Sequence, residues 1–270
     1  MVLQGIDISG WQRGIDLAAV PADFVIIKAT GGTGFTSSAC EAQYQAAKGA
    51  GKLRGVYHFA REQGYAGSAV EEADYFVSET SGYLRDPETL LVLDWEGDNV
   101  ADTVWAKSWL DRVRLRTGKV PLIYMSHSTA TRYDWSDVAR AGYGLWISAY
   151  VLGDQRINGY AVPEGLLPVH AWPFIAMHQF TASGRLPGWN GDLDLDVFFG
   201  DRAAWLKYAA GDRKPASVPP SVVPRSYTVR AGDTLDGIAR GSGTDWPTLA
   251  RLNGLANPDL IHPGQVLRLP

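Results

Sequence analysis

The sequence has a single cysteine, no cluster of basic residues and no long apolar run. Cys40 is the only cysteine in 270 residues, so an intramolecular disulfide and a thiolate metal cluster are both excluded. The net charge is -4, which argues against a partner that presents nucleic-acid phosphates. No segment approaches 18 apolar residues, so we expect no insertion into a membrane. The N-terminal residues lack the charged and apolar regions of a signal peptide, which predicts synthesis in a cytoplasm without export.

The histidines and acids also lack the spacing of a metal site. No pair of histidines has the H-x-x-x-H or H-E-x-x-H spacing of a zinc hydrolase. The acids of segment 192–196 alternate with leucines, whereas a calcium loop needs glycine and turn residues at its centre. We therefore expect no metal ion and no other cofactor.

What the sequence does contain is a series of short apolar segments separated by amphipathic ones. Capping boxes begin the first two amphipathic segments, at Ser38-x-x-Glu41 and Ser68-x-x-Glu71, and a third helix is predicted from about 102 to 117. Alternating strands and helices indicate a parallel sheet covered by helices, here an α/β fold of the irregular TIM-like barrel type. After residue 150 the pattern weakens, and a turn-rich segment joins the last two strands, so we expect an antiparallel end. The predicted strands are 4–8, 23–28, 54–60, 89–95, 120–125, 145–150, 174–180 and 193–198.

A proline-rich segment divides the chain. Residues 211–225, GDRKPASVPPSVVPR, contain four prolines, which prevent regular structure and favour an extended spacer. The predicted organisation is therefore a large domain at 1–210, a linker at 211–225 and a small domain at 226–270.

The most informative segment is LLVLDWEG, residues 90–97. Four consecutive apolar residues indicate a strand buried on both faces, and two acids follow where it ends. Residues i and i+2 of a strand share one side, so Asp94 and Glu96 should enter one pocket. Two carboxylates this close cannot both ionise freely, and the one with less solvent should have its pKa raised. A protonated acid beside a carboxylate is what hydrolysis of a glycosidic bond requires.

Two further acids interrupt apolar strands. Asp7 is flanked by isoleucines, and either points into a pocket or lies solvated on a polar face. The same question applies to Asp194, within the alternating segment 192–196, whose acids share one face. The residues alone leave both alternatives open.

Four motifs in order make residues 1–208 resemble the glycoside hydrolase family 25 muramidases, the Chalaropsis-type lysozymes. The motifs are GIDISGWQ (5–12), GVYHF (55–59), LDWE (93–96) and LDLDVF (193–198). The resemblance implies a catalytic group made of Asp7, Asp94, Glu96 and Asp194, with Glu96 as the general acid. Family members often have asparagine where this chain has Asp196. The resemblance also implies a sugar-binding groove lined by Tyr57, Tyr124, Trp146 and Gln179.

The C-terminal segment resembles a LysM module. Its motifs are YTVRAGDTL (227–235), LARLN (249–253) and NPDLIHPGQ (257–265), and the segment reads as strand, helix, helix, strand. The resemblance implies binding of glycans that contain N-acetylglucosamine between two loops. The loop residues concerned are Gly232, Asp233, Thr234, Leu235, Asn257, Pro258 and Ile261.

Taken together, these features predict a monomeric peptidoglycan hydrolase that cleaves the β-1,4 bond between N-acetylmuramic acid and N-acetylglucosamine. The lack of an export signal suggests a phage endolysin, made in the host cytoplasm and acting at the cell wall. A family 18-like chitinase is one alternative, although its signature needs aspartates where this chain has Val92 and Thr89. A non-catalytic glycan-binding protein is the other. The sequence leaves open whether the reaction proceeds with inversion or with substrate-assisted retention.

Overall fold

The computed structural model describes two compact units, Met1–Ala216 and Ser217–Pro270. The residues described are 2–97, 100–153, 155–162, 164–166, 168–211, 226–229, 233–242, 244–253, 255, 257, 261–262 and 264–269. None of the helices in these ranges is both long enough and apolar enough to span a bilayer. The predicted linker, apart from Gly211, lies outside the described residues.

The first unit alternates strands with helices. Its strands are β1 (Leu3–Ile8), β2 (Phe24–Gly31), β3 (Phe35–Thr36), β4 (Leu53–Phe59), β5 (Thr89–Asp94), β6 (Leu122–Ser126), β7 (Gly144–Ser148), β8 (Ile157–Asn158), β9 (Met177–Arg185) and β10 (Leu193–Phe198). A 3-10 helix spans Gly10–Gln12, and the α-helices are α1 (Cys40–Gly49), α2 (Ala69–Glu79), α3 (Ser81–Leu84), α4 (Thr103–Thr117), α5 (His127–Arg132), α6 (Ser136–Arg140) and α7 (Arg202–Ala210).

Eight of these strands close into a ring in the order β1-β10-β9-β7-β6-β5-β4-β2, with β2 returning to β1. The pairs from β1 through β2, β4, β5, β6 and β7 to β9 are parallel. Strand β10 is antiparallel to both β9 and β1. The predicted irregular barrel with an antiparallel end is therefore confirmed, and the ring leaves the short strands β3 and β8 outside it.

Strand β5 shows why the barrel strands are apolar on both faces. Leu91 and Leu93 pack with the surrounding helices, whereas Leu90 and Val92 pack inside the barrel. Trp205 of α7 closes one end of this interior: its ring contacts the rings of Phe24 and Phe198, and its Nε1 donates to the backbone carbonyl of Glu88. The other end of the interior stays polar, and it holds the site described below.

The helix boundaries follow local capping in two of the three predicted cases. Ser68 forms the predicted capping box with Glu71 at the start of α2. Asp102 caps α4 by accepting from the backbone N–H of Trp105, and Gly118 ends that helix in the left-handed conformation, with φ of 71°. The capping box predicted at Ser38 is wrong.

The reason lies in a tertiary contact. Helix α1 begins at Cys40, and its N-cap, Ala39, has no side chain that could accept a hydrogen bond. The Ser38 hydroxyl instead accepts from the Arg13 guanidinium at 2.7 Å. A distant partner therefore replaces the local cap that the sequence pattern suggested.

The second unit has the predicted order of strand, helix, helix, strand. Strand β11 (Ser226–Thr228) pairs antiparallel with β12 (Val266–Arg268), and α8 (Leu235–Gly241) and α9 (Trp246–Leu252) lie between them in the chain. Thr234 and Asp245 cap the two helices. A small core supports this unit and consists of Val229, Leu235, Ile238, Ala239, Leu249, Ala250 and Leu267.

Candidate active site

Every strand of the ring contributes at least one side chain to a polar pocket of about 360 Å³ at the open end of the barrel. Neighbouring strands place these residues at matching levels, as in the register pairs of Asp94 with Tyr124 and of Asp7 with Asp194. In ring order, these strand residues are Asp7, Asp194, Gln179, Trp146, Tyr124, Asp94, Tyr57 with Phe59, and Lys28. The seven of them that the sequence singled out are therefore brought together, although they come from distant segments of the chain.

Asp94 and Glu96 enter this barrel pocket from the end of β5. Asp94 is the last residue of the strand and is buried, whereas Glu96 follows it and is exposed at the mouth. Trp95 points the other way, is buried, and donates from Nε1 to the carbonyl of Val100. This anchored tryptophan separates the two acids along the chain and fixes them on one side, as the spacing predicts.

Both carboxyls have a raised pKa. Burial raises the pKa of Asp94 well above its usual range, and the charges of Glu96 and Asp7 raise it further. Although Glu96 is exposed as a residue, the pocket walls take water away from its carboxyl, and this desolvation raises its pKa against the opposing effect of the Lys28 ammonium. Asp94, with less solvent, is the more strongly shifted of the two.

Asp7 is held by a network of side-chain hydrogen bonds. The Gln179 amide donates to Asp7 Oδ2 at 2.6 Å, and Gln179 Oε1 accepts from the hydroxyls of Tyr124, at 2.9 Å, and Tyr150, at 2.7 Å. Burial raises the pKa of Asp7 to about 6, although the hydrogen bonds from Gln179 and Asp196 act in the opposite direction. Gln179 is thus oriented by two tyrosines and in turn orients Asp7.

The two acids of β10 occupy different environments. Asp194 lines the pocket, and burial together with the charges of Asp7 and Glu96 raises its pKa to about 8. Asp196 is fully buried, and its Oδ1 accepts from Trp146 Nε1 at 2.9 Å. Burial and the nearby charge of Asp7 raise the pKa of Asp196 well above its ordinary value. A neutral Asp196 is close to an asparagine in shape and charge.

Lys28 provides a positive charge among these acids. Its ammonium lies 2.6 Å from a carboxylate oxygen of Glu62 and over the rings of Phe35 and Phe59, at 4.9 and 4.5 Å from their centroids. Gly31 makes this arrangement possible, because a side chain there would collide with Glu62. The charge of Lys28 is therefore fixed in place beside the acid pair.

The site as a whole is equipped for proton transfer. Carboxyls that share one pocket cannot all ionise freely, so they titrate as a group and retain protons near neutral pH. Among the described residues, no three His, Cys, Asp or Glu side chains are arranged to hold a metal ion. A protonated carboxyl beside ionised ones is the arrangement that general acid catalysis uses.

Several lining residues were not predicted as site residues. Ser9 and Trp11 belong to the first motif, in which only the aspartate was assigned to the site. Phe59 ends β4 and Tyr150 follows β7, and neither residue carries a charge that would have indicated a site. Lys28 could have been found, because it interrupts an apolar strand in the same way as Asp94 does.

The loop residues predicted for the second unit are only partly described. Thr234 caps α8, and Asp233 accepts from the hydroxyl of Tyr227 at 2.8 Å. The side chain of Leu235 is buried in the core of the unit, whereas Asn257 is exposed and Ile261 is half-buried. Gly232 and Pro258 lie outside the described residues.

Two family models match the chain. The model described as Glycosyl hydrolases family 25 matches residues 6–189, and the LysM domain model matches residues 227–270. The first match includes Asp7, Asp94 and Glu96, and it ends before Asp194.

Individual relatives agree with these matches. Lysozyme M1 from Streptomyces globisporus is 34% identical over 224 residues, covering 77% of this chain and 71% of the relative. An N,O-diacetylmuramidase from Chalaropsis sp is 32% identical, covering 72% of this chain and 95% of the relative. Among solved structures, the bacterial lysozyme from Streptomyces coelicolor has a TM-score of 0.63 at 31% identity, covering 77% of this chain and 97% of that one.

Proposed function

We propose a catalytic scheme from one premise: this chain belongs to family 25 of the glycosyl hydrolases and carries a LysM domain at its C-terminal end. Its activity is that of a muramidase, the hydrolysis of the β-1,4 bond between N-acetylmuramic acid and N-acetylglucosamine in peptidoglycan. The observation that carries the scheme is that Asp94 and Glu96 leave the end of β5 together and meet Asp7 and Asp194 in one pocket.

Glu96 acts as the general acid in this scheme. Its position at the mouth of the pocket lets it reach the glycosidic oxygen of a long glycan, and its raised pKa keeps a proton on it to higher pH than an ordinary glutamic acid. As the bond between the anomeric carbon and this oxygen breaks, the oxygen takes the Glu96 proton. The resulting carboxylate then accepts a proton from the attacking water.

Asp94 orients the substrate rather than attacking it. It lies deeper than Glu96 on the same side of β5, so it can hold the 2-acetamido group next to the scissile bond. The acetamido oxygen then bonds to the anomeric carbon as the leaving group departs, and water opens this intermediate with net retention. Asp7 and Asp194 stabilise the positive charge that develops on the sugar, because that charge favours the ionised form of both carboxyls in the transition state. Tyr57, Tyr124, Trp146 and Gln179 shape the groove.

The LysM domain keeps the enzyme at its insoluble substrate. A second, weak glycan site raises the effective concentration of the barrel at the wall without any new catalytic contact. We assign the contact to the residues that the resemblance implies, Gly232, Asp233, Thr234, Leu235, Asn257, Pro258 and Ile261. Because the side chain of Leu235 is buried, its backbone would make the contact. Action as a monomer, synthesis in a host cytoplasm and a phage origin stay predictions.

Analysis of the new chain ends tests the bond specificity. Purified peptidoglycan is digested with the full chain, the new ends are reduced with borohydride, and the reduced sugars are identified by mass spectrometry. We expect reduced N-acetylmuramic acid. Reduced N-acetylglucosamine, or faster digestion of chitin than of peptidoglycan, would overturn the assignment, and faster chitin digestion would favour the chitinase alternative.

The anomer released first tests the route. NMR of a defined oligosaccharide digest should show the β-anomer initially, which corresponds to net retention. An initial α-anomer means direct inversion by water, and a trapped glycosyl ester on an aspartate means covalent catalysis. Either result contradicts the substrate-assisted scheme.

A further inference from the structure

An exposed tryptophan lies at the rim of the barrel pocket, and the catalytic scheme does not use it. Trp11 is on the 3-10 helix that follows β1, and it lines the pocket mouth. Its side chain is 89% exposed, more than any other large hydrophobic side chain in the described part of the chain. An indole ring this exposed gains nothing for folding, so its position at the rim calls for a binding partner.

The turn that carries Trp11 is held firmly from two directions. Within the turn, the Ser9 hydroxyl accepts from the Trp11 backbone N–H and the Gln12 side chain accepts from the Ser9 N–H, at 3.3 and 3.0 Å. From α1, the Gln43 amide donates to the carbonyls of Ser9 and Gln12, at 2.8 and 3.3 Å. The backbone beneath the indole is therefore ordered before any ligand binds, which lowers the entropic cost of binding.

The location of Trp11 suggests its ligand. The pocket ends at the rim, whereas a glycan strand continues beyond the sugars that occupy the pocket. A pyranose ring presents C–H groups on one face, and these pack against an aromatic ring as other apolar groups do. A strand that leaves the pocket past the end of β1 would pass over Trp11.

We propose that Trp11 is a platform for a sugar ring of the glycan strand outside the barrel pocket, and so an additional substrate-binding residue. The proposal rests on the muramidase activity described above. It implies that Trp11 contributes only when the strand is long enough to reach it. The platform would strengthen binding to long strands without taking part in bond cleavage.

The test compares soluble peptidoglycan oligosaccharides of increasing length as substrates for the full chain and for Trp11→Ala. We expect the variant to raise KM roughly tenfold on long oligosaccharides, the upper end of what one aromatic contact contributes. The value of kcat should be unchanged, and the shortest cleaved oligosaccharide should be affected little. Trp11→Tyr should recover most of the loss because it restores an aromatic face.

Phe174→Ala is the matched control, since Phe174 is also exposed, at 63%, but does not line the pocket. A loss that is equal for short and long substrates overturns the proposal, as does a loss no larger than that of Phe174→Ala. These outcomes differ from a failure of the muramidase assignment, in which the unaltered chain itself would release no reduced N-acetylmuramic acid ends.

Discussion

At the scale of single residues, the site keeps acids neutral that would be ionised in water. Asp194 shows this most simply, because burial raises its pKa from 3.8 to about 8 in the folded protein. Between about pH 4 and pH 8 the folded state therefore binds more protons than the unfolded state, so stability falls as the pH rises through this window. In the proposed scheme these acids serve catalysis, and the chain maintains them at a cost in stability.

Asp194→Asn should remove this cost, because an amide cannot ionise. We expect its melting temperature to exceed that of the unaltered protein by several degrees at pH 8 and to match it near pH 4; about 1 kcal/mol corresponds to roughly 2–4 °C here. Calorimetry at pH 4, 6 and 8 measures the difference, with Asp192→Asn as the exposed control. A difference that does not grow with pH would show that Asp194 is ionised in the folded state.

The ion pair of Lys28 with Glu62 should set the alkaline limit of activity. Lys28→Met removes a positive charge that favours ionisation of Asp94 and Glu96, so the pKa values of both carboxyls should rise. The alkaline limb of the profile of kcat against pH should then move up by roughly 0.5–1 pH unit. Glu62→Gln leaves the ammonium uncompensated and should move the limb down. The profile of kcat against pH measures both shifts.

Lys107→Met is the control for this pair of variants, because Lys107 pairs with Asp111 on α4, outside the pocket lining. Its pH profile should match that of the unaltered enzyme. Shifts of the same sign for Lys28→Met and Glu62→Gln would contradict the electrostatic account, since the two substitutions change the local charge in opposite directions.

At the scale of elements, the connection between β4 and α2 is fastened by Glu72. This buried carboxylate accepts from His58 Nε2 at 3.0 Å and from the backbone N–H groups of Arg61 and Gly67, at 2.9 and 2.8 Å. The same connection carries Glu62, which holds Lys28. A residue of the helix layer thus supports the charge arrangement inside the barrel.

Glu72→Ala should lower the free energy of unfolding by about 3–5 kcal/mol, because it leaves His58 Nε2 and two backbone N–H groups without an acceptor, at a cost of about 1–3 kcal/mol for each donor that becomes buried and unpaired. Ser68→Ala, which removes only the cap of the same helix, should cost about 1 kcal/mol. Urea denaturation of both variants measures the two values. Equal losses would mean that Glu72 does not fasten the connection.

Elements with a strong local signal were predictable, and those that depend on distant partners were not. Strand β5 and the cap at Ser68 follow from their own residues. The cap at Ser38 failed because Arg13 binds its hydroxyl. Helix α7 was not predicted, because its residues lack an amphipathic pattern, although Asp201 caps it. The reason that it forms is visible only in the fold, where its Trp205 closes one end of the barrel.

At the scale of the whole molecule, the sequence identified the acids of the site but not the bonds between them. Asp7, Asp94 and Asp194 were found because each interrupts or ends an apolar strand. The contacts of Gln179 with Asp7 and of Trp146 with Asp196 depend on how the ring closes and on bulges in β10. Such contacts between distant segments leave no pattern within a single segment.

The two units should also separate functionally. Removal of residues 211–270 should leave the cleavage of soluble oligosaccharides unchanged, because every pocket-lining residue belongs to the first unit. Attack on intact walls should become weaker, since the tether is lost. Parallel assays on both substrates and a wall-binding assay measure this. Equal activity of the two proteins on intact walls would show that the LysM domain does not act as the anchor.

The most direct test of the central claim is the activity of Glu96→Gln on purified walls, measured as loss of turbidity at the optimal pH. The amide has nearly the same shape but cannot donate a proton at a useful pKa, so we expect a loss of about 10²–10⁴-fold. Wall binding and melting temperature should be unchanged, and the surface variant Glu79→Gln should remain fully active. Retention of more than about a hundredth of the activity would contradict the role of Glu96 as the general acid.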